Sequence, residues 1–390
     1  MNSPDIIIVG AGITGCAAAF ELSKSNLKIE VIEKYKPASM ASGWTLAGVR
    51  QSGRHSAEIP LAKYSVQEWP NLVEILGSDT GYTQMGNLRL ARNDEEVIII
   101  KNLVRNQKKA GLDIKYLSEN KDIQEIAPAL SKKIIAASFC STDGHAEPIK
   151  TVQAYKSAAE RNGVIFSSNE EVLEVNVKSN RVRSVRTSKR NVETQTCILA
   201  NGIHCNALLK NLGMRIPLDV PIVTVIQTEK TAEILKPVIG VANANLAMRQ
   251  ELNGCFRITS GAQKWNGKLE EKDRMPYAAT SLEKIHFTIE RAIEVIPNLS
   301  QCSIKSFWGG LLDLTPDALP VIDQIKEYEG LIVASGFSGH GFGIAPAIGG
   351  ILADLTMKAP ARLPIDPFSL YRFKKNNNLK EEENEPTLHG

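Results

Sequence analysis

The first forty residues carry two different hydrophobic patterns in quick succession. Residues 5–9 (DIIIV) are a β-branched run that ends at a glycine, which predicts a short strand buried on both faces. Residues 13–23 are rich in alanine and predict a helix, and residues 28–32 predict a second strand that Glu33 follows directly. The chain therefore opens with a strand–helix–strand unit of about thirty residues.

The pattern changes further along the chain. Residues 57–76 and 94–109 have the spacing of helices. Short β-like runs then dominate without regular alternation with helices, at 164–166, 172–177, 182–187 and 220–228. The final third of the chain is rich in glycine.

These elements predict an α/β protein, α+β overall, with two interleaved domains. A Rossmann-like nucleotide-binding domain is expected to be built from three separated segments, 1–85, 146–218 and 306–373. A domain rich in β-sheet is expected to take up the two segments between them, 86–145 and 219–305. Residues 374–390 are polar and charged, which predicts a disordered tail.

A glycine-rich turn lies between the first predicted strand and the helix. Gly10, Gly12 and Gly15 match the motif G-x-G-x-x-G. In this motif the first glycine allows a tight turn, the second allows the backbone to approach a pyrophosphate closely, and the third allows the helix to pack closely on the sheet. The helix N-terminus then stabilises the phosphate charge. Glu33 is at the position where a carboxylate accepts hydrogen bonds from both ribose hydroxyls and repels a 2′-phosphate. The combination predicts FAD or NAD rather than NADP; a turn without a ligand is the alternative.

Composition limits the classes of partner. The 46 basic and 43 acidic residues leave a net charge of +3, too even to indicate nucleic acid or an anionic membrane. The six cysteines form no CxxC pair and the six histidines no HExxH or HxH arrangement, so we expect buried reduced thiols and no metal site. No stretch approaches the roughly 18 apolar residues of a membrane-spanning helix, and residues 1–5 lack a basic region, so we expect a cytoplasmic protein.

Two later segments favour FAD over NAD. Residues 41–43 (ASG) and 47–50 (AGVR) form a small-residue loop of the kind that lets an isoalloxazine ring lie against the backbone; an ordinary flexible loop is the alternative. Residues 335–350 (SGFSGHGFGIAPAIGG) form a glycine-rich loop that enters a helix predicted over 345–357. Its N–H groups and helix dipole would stabilise negative charge at flavin N1 and O2, and this stabilisation grows as the ring is reduced.

Four further segments carry a family resemblance: 41–55 (ASGWTLAGVRQSGRH), 85–91 (MGNLRLA), 143–148 (DGHAEP), and 308–320 (WGGLLDLTPDALP) continuing into 334–344 (ASGFSGHGFGI). With the fingerprint, they make the chain resemble the D-amino-acid-oxidase-like flavoproteins over nearly all of residues 4–370. This family includes glycine oxidase, sarcosine oxidase and the β subunits of opine, hydroxyproline and proline dehydrogenases. The AGVRxxGRH and DGHAEP forms are most similar to the β subunits of heteromeric opine and hydroxyproline dehydrogenases, so the resemblance implies a partner subunit.

The resemblance also implies which residues contact FAD. They are Gly10, Ala11, Gly12, Ile13, Thr14, Gly15, Glu33, Lys34, Ser42, Gly43, Val172, Ala200, Asn201, Gly202, Gly310, Gly336, Phe337, Ser338, Gly339, His340, Gly341, Phe342, Gly343 and Ile344. The fingerprint and Glu33 would contact the ADP moiety, the Val172 backbone the adenine, and residues 336–344 the pyrimidine edge of the flavin. Because related β subunits share an interfacial FMN with their partner, an FMN at such an interface is a further expectation.

Three departures from the family pattern bear on function. Trp44 stands where relatives often carry Arg or a small polar residue. The stretch before Thr315 lacks the cysteine to which single-chain sarcosine oxidases attach their flavin, so FAD is expected to be noncovalent. Gly343 replaces a lysine that helps those oxidases bind the substrate carboxylate, and Arg257 aligns loosely with their oxygen-activating lysine. Together these departures favour a dehydrogenase with a different or larger amino-acid substrate.

The reaction that the resemblance implies is hydride transfer from the carbon bearing an amine to flavin N5, which gives an imine that water hydrolyses. A carboxylate-bearing substrate then needs a cation, and Arg50 and Arg54 are the leading candidates because a guanidinium binds a carboxylate in bidentate fashion. Pairing with a local acid such as Glu58 is the alternative. His340, between two glycines, is a candidate for a hydrogen bond to flavin or substrate. Weaker candidates are His55, Arg249 and Arg257, while Asp143 and His145 are expected to hold a turn.

Several functions stay open on sequence alone. The favoured one is the catalytic β subunit of a heteromeric dehydrogenase that acts on an opine, hydroxyproline, proline or sarcosine-like compound. The nearest alternative is a single-chain oxidase that produces hydrogen peroxide. More distant alternatives are an NAD-dependent reductase, a tRNA-modifying enzyme and a noncatalytic flavin-binding scaffold.

Overall fold

The computed structural model describes residues 3–375 of the chain. Its strands are β1 (Ile6–Val9), β2 (Ile29–Glu33), β3 (Gly48–Val49), β4 (Asn87–Ala91), β5 (Lys115–Leu117), β6 (Ala136–Cys140), β7 (Gly144–His145), β8 (Ile165–Ser168), β9 (Val172–Lys178), β10 (Arg181–Thr187), β11 (Asn191–Glu193), β12 (Thr196–Leu199), β13 (Ile222–Thr228), β14 (Val238–Val241), β15 (Leu246–Gln250), β16 (Phe256–Ser260), β17 (Glu270–Lys272), β18 (Met275–Tyr277), β19 (Ile304–Leu311), β20 (Val321–Gln324) and β21 (Leu331–Ser335). Its α-helices are α1 (Ile13–Leu22), α2 (Ala41–Trp44), α3 (Ile59–Glu68), α4 (Leu72–Leu76), α5 (Asp94–Lys109), α6 (Asn120–Ile126), α7 (Pro148–Arg161), α8 (Cys205–Leu209), α9 (Leu282–Val295) and α10 (Ala345–Thr356). Short 3₁₀ helices cover Trp69–Asn71, Gly202–His204, Lys210–Leu212, Pro297–Gln301, Asp366–Phe368 and Leu370–Lys375.

The opening βαβ unit lies at the centre of a six-stranded sheet with the order β20-β21-β12-β1-β2-β8. The strands from β21 to β8 are parallel, and β20 is an antiparallel edge. Strand β1 is buried on both faces because Ile6 and Ile8 pack against α1, α7 and α10, whereas Ile7 and Val9 pack toward β9, β10 and α8. Distant parts of the chain therefore build one Rossmann-like domain, which confirms the predicted fold class.

A second sheet has eight strands in the order β19-β13-β16-β15-β14-β4-β6-β5. All its neighbouring strands are antiparallel except the parallel pair β14 and β4. One face, which includes Ile226, Met248 and Phe256, packs in a core with residues of α6 and α9. Because side chains alternate along a strand, the opposite face, which includes Val225 and Ala247, lies toward the six-stranded domain.

Most predicted elements lie within a residue or two of their observed bounds, and one prediction is wrong in detail. The helix expected over 57–76 is divided into α3, a 3₁₀ turn and α4. Pro70 lies at this interruption. The helix is interrupted here because the proline ring lacks a backbone N–H donor and clashes with the preceding turn. Five of the six cysteines are buried, as expected, and Cys302 is partly exposed.

The predicted domain limits stay a prediction. Strand β19 of the eight-stranded sheet crosses the expected limit between residues 305 and 306. The expected tail at 374–390 begins within the last 3₁₀ turn, and residues 376–390 lie outside the described residues. Within residues 3–375, no helix has the length and apolar character that crossing a membrane requires.

Candidate active site

A cavity of about 470 Å³ extends from the carboxyl end of β1 to the eight-stranded sheet. At one end it is lined by the fingerprint turn and Glu33, and at the other by side chains of the eight-stranded sheet, among them Val223, Val225 and Arg89. Between them lie the loop around Trp44 and the glycine-rich loop at residues 337–342. The two loops that the sequence singled out therefore line the same cavity as the fingerprint.

The fingerprint turn closes only with glycine. Gly10 has a φ of +102°, and a Cβ on it would lie 2.6 Å from the carbonyl oxygen of Ala200. A Cβ on Gly15 would overlap the carbonyl oxygen of Gly10. Because this oxygen belongs to the backbone, it cannot move aside as the end of a flexible side chain could. The first turn of α1 therefore packs directly on the strand end, with its N-terminus at the cavity.

Two side chains complete this end of the cavity. Ser42 Oγ accepts a hydrogen bond of 2.9 Å from the N–H of Ile13, the first residue of α1. The Glu33 carboxylate accepts hydrogen bonds from the N–H groups of Ala11 (2.7 Å) and Tyr35 (2.8 Å). Burial raises the pKa of Glu33, and these two donors oppose the rise. Each Glu33 oxygen keeps a second lone pair, so the carboxylate fits the acceptor role expected beside a ribose.

The residues predicted to contact FAD fall into two groups. Those that line the cavity are Gly10, Gly12, Ile13, Thr14, Glu33, Lys34, Ser42, Val172, Ala200, Asn201, Gly202, Gly310, Phe337, Ser338, Gly339, His340, Gly341 and Phe342. The remaining residues lie behind the lining: Ala11, Gly15, Gly43, Gly336, Gly343 and Ile344. For both groups, contact with FAD stays a prediction.

The second group holds the loops in place. A Cβ on Gly43 would overlap the carbonyl oxygen of Ala38. The N–H of Gly336 donates to Asp313 Oδ2 over 2.7 Å, and the carbonyl of Gly343 accepts a 2.8 Å hydrogen bond from Trp69 Nε1. Close backbone packing accounts for glycine at 43 without a cofactor contact.

Arg50, Arg54 and His340 all line the cavity, and Arg54 and His340 meet through one buried acid, Glu58. Arg54 Nη1 lies 3.7 Å from Glu58 Oε1, and His340 Nδ1 lies 3.0 Å from Glu58 Oε2. Arg50 Nη1 donates to the carbonyls of Ser52 (2.6 Å) and Gly53 (3.1 Å). Arg54 therefore pairs with the local acid that the sequence offered as its alternative partner, while its side chain still borders the cavity.

The protonation of this cluster follows from its charges. Burial alone would raise the pKa of Glu58, but the charges of His340 and Arg54 outweigh it and bring the pKa to about 2. Burial lowers the pKa of His340 to about 4, although Glu58 opposes this. Glu58 is therefore a carboxylate near neutral pH, and the neutral His340 ring donates its Nδ1–H to it. This tautomer, assigned from the hydrogen bond, leaves Nε2 as an acceptor.

Lowering the pH is expected to destabilise the protein through His340. The folded pKa of about 4 lies below the ordinary value of 6.5, so the unfolded chain takes up the proton first. The stabilising contribution is present above the unfolded pKa and is lost as the pH falls toward the folded one. We expect the thermal midpoint of the FAD-loaded protein to fall less between about pH 8 and about pH 5 in His340→Gln than in the wild type.

The exposed His286 of α9 provides a matched control for this pH experiment. His286→Gln should keep the wild-type pH dependence of the thermal midpoint. An equal dependence in wild type and His340→Gln would contradict a buried neutral histidine at position 340.

Three consecutive carbonyls of the loop beside the cavity are held by side chains of the eight-stranded sheet. Trp308 Nε1 donates to the carbonyl of Trp44 (3.2 Å), Arg257 Nη1 to that of Thr45 (2.7 Å), and Arg249 Nε to that of Leu46 (2.6 Å). Arg249 and Arg257 also pair with Glu251, at 3.6 and 2.8 Å. The two arginines, weaker candidates in the sequence, therefore position the loop.

The contacts of His55, Asp143 and His145 are with nearby backbone and side-chain groups. His55 is exposed, and its Nδ1 accepts a 3.2 Å hydrogen bond from the N–H of Ala57. Asp143 accepts hydrogen bonds from the N–H of Gln51 (2.9 Å) and from the Ser52 hydroxyl. His145 lies on β7, which pairs with β3. Asp143 and His145 hold the segment before Arg54, as expected.

Among the cavity residues that sequence reasoning missed is a cation, Arg89 on β4. Burial and the positive charge of Arg54 lower the pKa of Arg89 to about 10. A signal for it was present in the segment MGNLRLA, because Leu88 and Leu90 are apolar and buried, and period-two alternation places Asn87 and Arg89 together on the other face. A charged residue on the exposed face of a predicted strand is common, so the alternation alone does not indicate a site.

The family of the chain follows from a comparison with known protein families. A family model described as DAO, FAD dependent oxidoreductase, matches residues 5–355. The chain belongs to this family. It is therefore an FAD-dependent oxidoreductase, and the resemblance noted in the sequence is confirmed. The glycine turn, the acceptor at Glu33 and the cavity beside them fit the ADP end and flavin of FAD.

Individual proteins similar to the chain agree in length. Glycine oxidase of Geobacillus kaustophilus is 26% identical over 94% of this chain and 97% of its own length. Sarcosine oxidase subunit beta of an Arthrobacter species is 24% identical over 97% of this chain and 93% of its own length. Among solved structures, the L-proline dehydrogenase of P. horikoshii superposes with a TM-score of 0.87 at 27% identity, covering 96% of this chain and 99% of that one. This DAO-family chain thus spans nearly the full length of each.

Proposed function

We propose that this DAO-family enzyme oxidises a secondary amine or amino acid that carries a carboxylate, of the proline, hydroxyproline, sarcosine or opine type. The observation that carries the proposal is the group of arginines at the cavity wall, Arg50, Arg54 and Arg89, beyond the end that fits ADP. The similarity to proteins named for glycine, sarcosine and L-proline supports it. When bound, FAD would supply the acceptor for a hydride from the carbon bearing the amine, and water would hydrolyse the imine product.

The arginines and His340 set the electrostatics of the reacting end. Arg50 and Arg54 stay charged because the intrinsic basicity of a guanidinium exceeds what burial removes. They provide positive potential for an anionic substrate and for the negative charge that develops on reduction. Glu58 ties Arg54 and His340 together, so the three side chains have fixed positions. The neutral His340 ring offers Nε2 as an acceptor for an ammonium or hydroxyl hydrogen.

We infer further that the chain works as the catalytic β subunit of a heteromeric dehydrogenase. Similarity to sarcosine oxidase subunit beta over nearly the full length of both proteins supports this. Similarity to glycine oxidase at 26% identity supports the alternative, a single-chain oxidase that reduces oxygen to hydrogen peroxide. An FMN at a subunit interface rests on the sequence resemblance alone and stays a prediction.

The test uses the full chain expressed alone and loaded with FAD. Proline, hydroxyproline, sarcosine, glycine and octopine are added in turn, and reduction is followed in air and with an artificial electron acceptor. We expect at least one compound to support acceptor reduction, with little oxygen consumption by the chain alone. Rapid oxygen consumption with formation of peroxide would instead establish the single-chain oxidase. Failure of every compound with both acceptors would contradict the proposed substrate class.

A further inference from the structure

We propose that Arg89 binds the substrate carboxylate directly and that the preferred substrate is an amino acid with one carboxylate and an apolar side chain. This inference rests on the proposed function and narrows its substrate class.

Arg89 differs from the other two arginines in the use of its donors. Arg50 donates to two backbone carbonyls, and Arg54 donates to the Arg50 carbonyl (3.3 Å) and pairs with Glu58. The side chain of Arg89 makes no hydrogen bond or ion pair with any residue that the structure describes. Arg89 therefore has a free planar fork of N–H donors at the cavity, which matches a carboxylate in bidentate geometry.

The surroundings of Arg89 leave space beside its guanidinium. Strand register places Arg89 opposite Gly240 on β14, and Gly240 opposite Ala247 on β15. The row continues to Thr259 on β16 and Val225 on β13. These residues lie on the cavity face and line the cavity. The row therefore runs from a cation past two small residues and Thr259, whose hydroxyl donates to the Ala247 carbonyl, to the apolar Val225. A ligand held by its carboxylate at Arg89 would extend along this row.

The charges at this end suit one carboxylate. Three arginines lie here beside two buried acids, Glu58, which pairs with Arg54, and Asp143, which accepts hydrogen bonds from Gln51 and Ser52, so the arginines outnumber the acids by one. Apart from Arg89, the part of the eight-stranded sheet that lines the cavity contributes no Asp, Glu, Lys or further Arg. A second carboxylate or an ammonium on the substrate side chain would therefore be desolvated without a partner, which is costly. Within the proposed class, this favours proline-like compounds over opines.

Binding is tested without turnover. The oxidised FAD-loaded enzyme is titrated with 3-methylbutanoate and with 3-methylbutanamide, and the perturbation of the flavin absorbance gives the dissociation constants. We expect the carboxylate to bind and the amide to bind weakly or not at all. Arg89→Gln should raise the dissociation constant of the carboxylate about 10- to 100-fold, because a charged hydrogen-bonding partner is lost. The dissociation constant in Arg89→Lys should lie between those of the wild type and Arg89→Gln, since lysine keeps the charge and loses the bidentate fork.

Controls separate Arg89 from the fold and from the flavin. Arg105→Gln, on the exposed face of α5, should bind the carboxylate like the wild type. Arg89→Gln should keep the FAD content and the flavin spectrum of the unliganded enzyme. An unchanged dissociation constant in Arg89→Gln would overturn the proposal. A changed FAD content or unliganded spectrum would do so too, because it would assign Arg89 to the cofactor.

A separate experiment tests the substrate class. Anaerobic flavin reduction is compared for racemic leucine and proline against racemic aspartate and glutamate. The apolar pair should reduce the flavin at lower concentrations, and equal reduction by the acidic pair would overturn the apolar preference. If no amino acid or amine reduces the flavin, the proposed function fails, whereas the carboxylate titration still decides the role of Arg89.

Discussion

Gly15→Ala is expected to weaken FAD binding by about 10- to 100-fold, the range that a forced overlap of one methyl group with backbone implies. The added Cβ would overlap the carbonyl oxygen of Gly10, so the turn has to open. Opening it moves the start of α1 and the Ala11 N–H that Glu33 accepts. The measurement is titration of the FAD-free protein with FAD, together with the ratio of flavin to protein absorbance after purification.

Gly163→Ala provides a control in which the added methyl group meets open space. No heavy atom lies within 4 Å of the would-be Cβ of Gly163, although this residue, unlike Gly15, has a positive φ of +92°. The substitution should cost only backbone strain of about 1 kcal/mol and leave FAD binding unchanged. Wild-type FAD affinity in Gly15→Ala would contradict the close packing of α1 on the turn.

Arg249→Met is expected to lower the free energy of unfolding by about 3–5 kcal/mol, because it removes a fully buried cation that contacts Glu147, Glu251 and the Leu46 carbonyl. Arg249 is fully buried, and its Nη1 lies 3.0 Å from Glu147 Oε1 and 3.0 Å from His145 Nδ1. Burial, then the charge of Arg249, lowers the pKa of His145 to about 3, so this ring is neutral. Since the Leu46 carbonyl also loses its donor, we expect slower flavin reduction. Unfolding is measured at a fixed excess of FAD.

An exposed ion pair separates burial from charge. Arg186 pairs with Glu174 at 3.0 Å on the surface of the β9–β10 hairpin. Arg186→Met removes the same kind of charge and should change the free energy of unfolding by no more than about 1 kcal/mol. Equal effects of the two substitutions would contradict the account of the buried network.

The fingerprint end of the site could be predicted because its determinants are local. A β-branched run, three glycines and Glu33 lie within thirty residues, and each element follows from the residues that form it. The structure places these residues together at the end of β1, which is the first strand of the chain and a central strand of the sheet.

The reacting end could be predicted only as a set of separate candidates. Arg54 and His340 were both identified, but their shared partner Glu58 lies 282 positions from His340, and no local pattern indicates that pairing. Arg249 and Arg257 were ranked as weak candidates, and their role is visible only once the Thr45 and Leu46 carbonyls are seen beside them. Arg89 was missed because its place at the cavity depends on strand neighbours such as Gly240, about 150 residues away, that only the sheet register reveals.

The division of labour between the domains follows from these contacts. The six-stranded domain provides the turn and the acceptor that fit ADP, whereas the eight-stranded sheet provides the walls of the reacting end and three donors that hold the loop between them. Substrate specificity is therefore expected to depend on the eight-stranded sheet, and cofactor affinity on the first forty residues.

We expect this chain to bind FAD noncovalently and to reduce it with an amino acid or amine. This expectation is tested by recording the absorbance spectrum of the purified FAD-loaded chain under anaerobic conditions before and after addition of racemic proline, then precipitating the protein with acid. The account predicts a flavin band that bleaches on addition of the amino acid, and free FAD in the supernatant. A flavin that dithionite bleaches but proline, sarcosine, leucine and glycine all leave oxidised, or a flavin that stays with the precipitated protein, would contradict it.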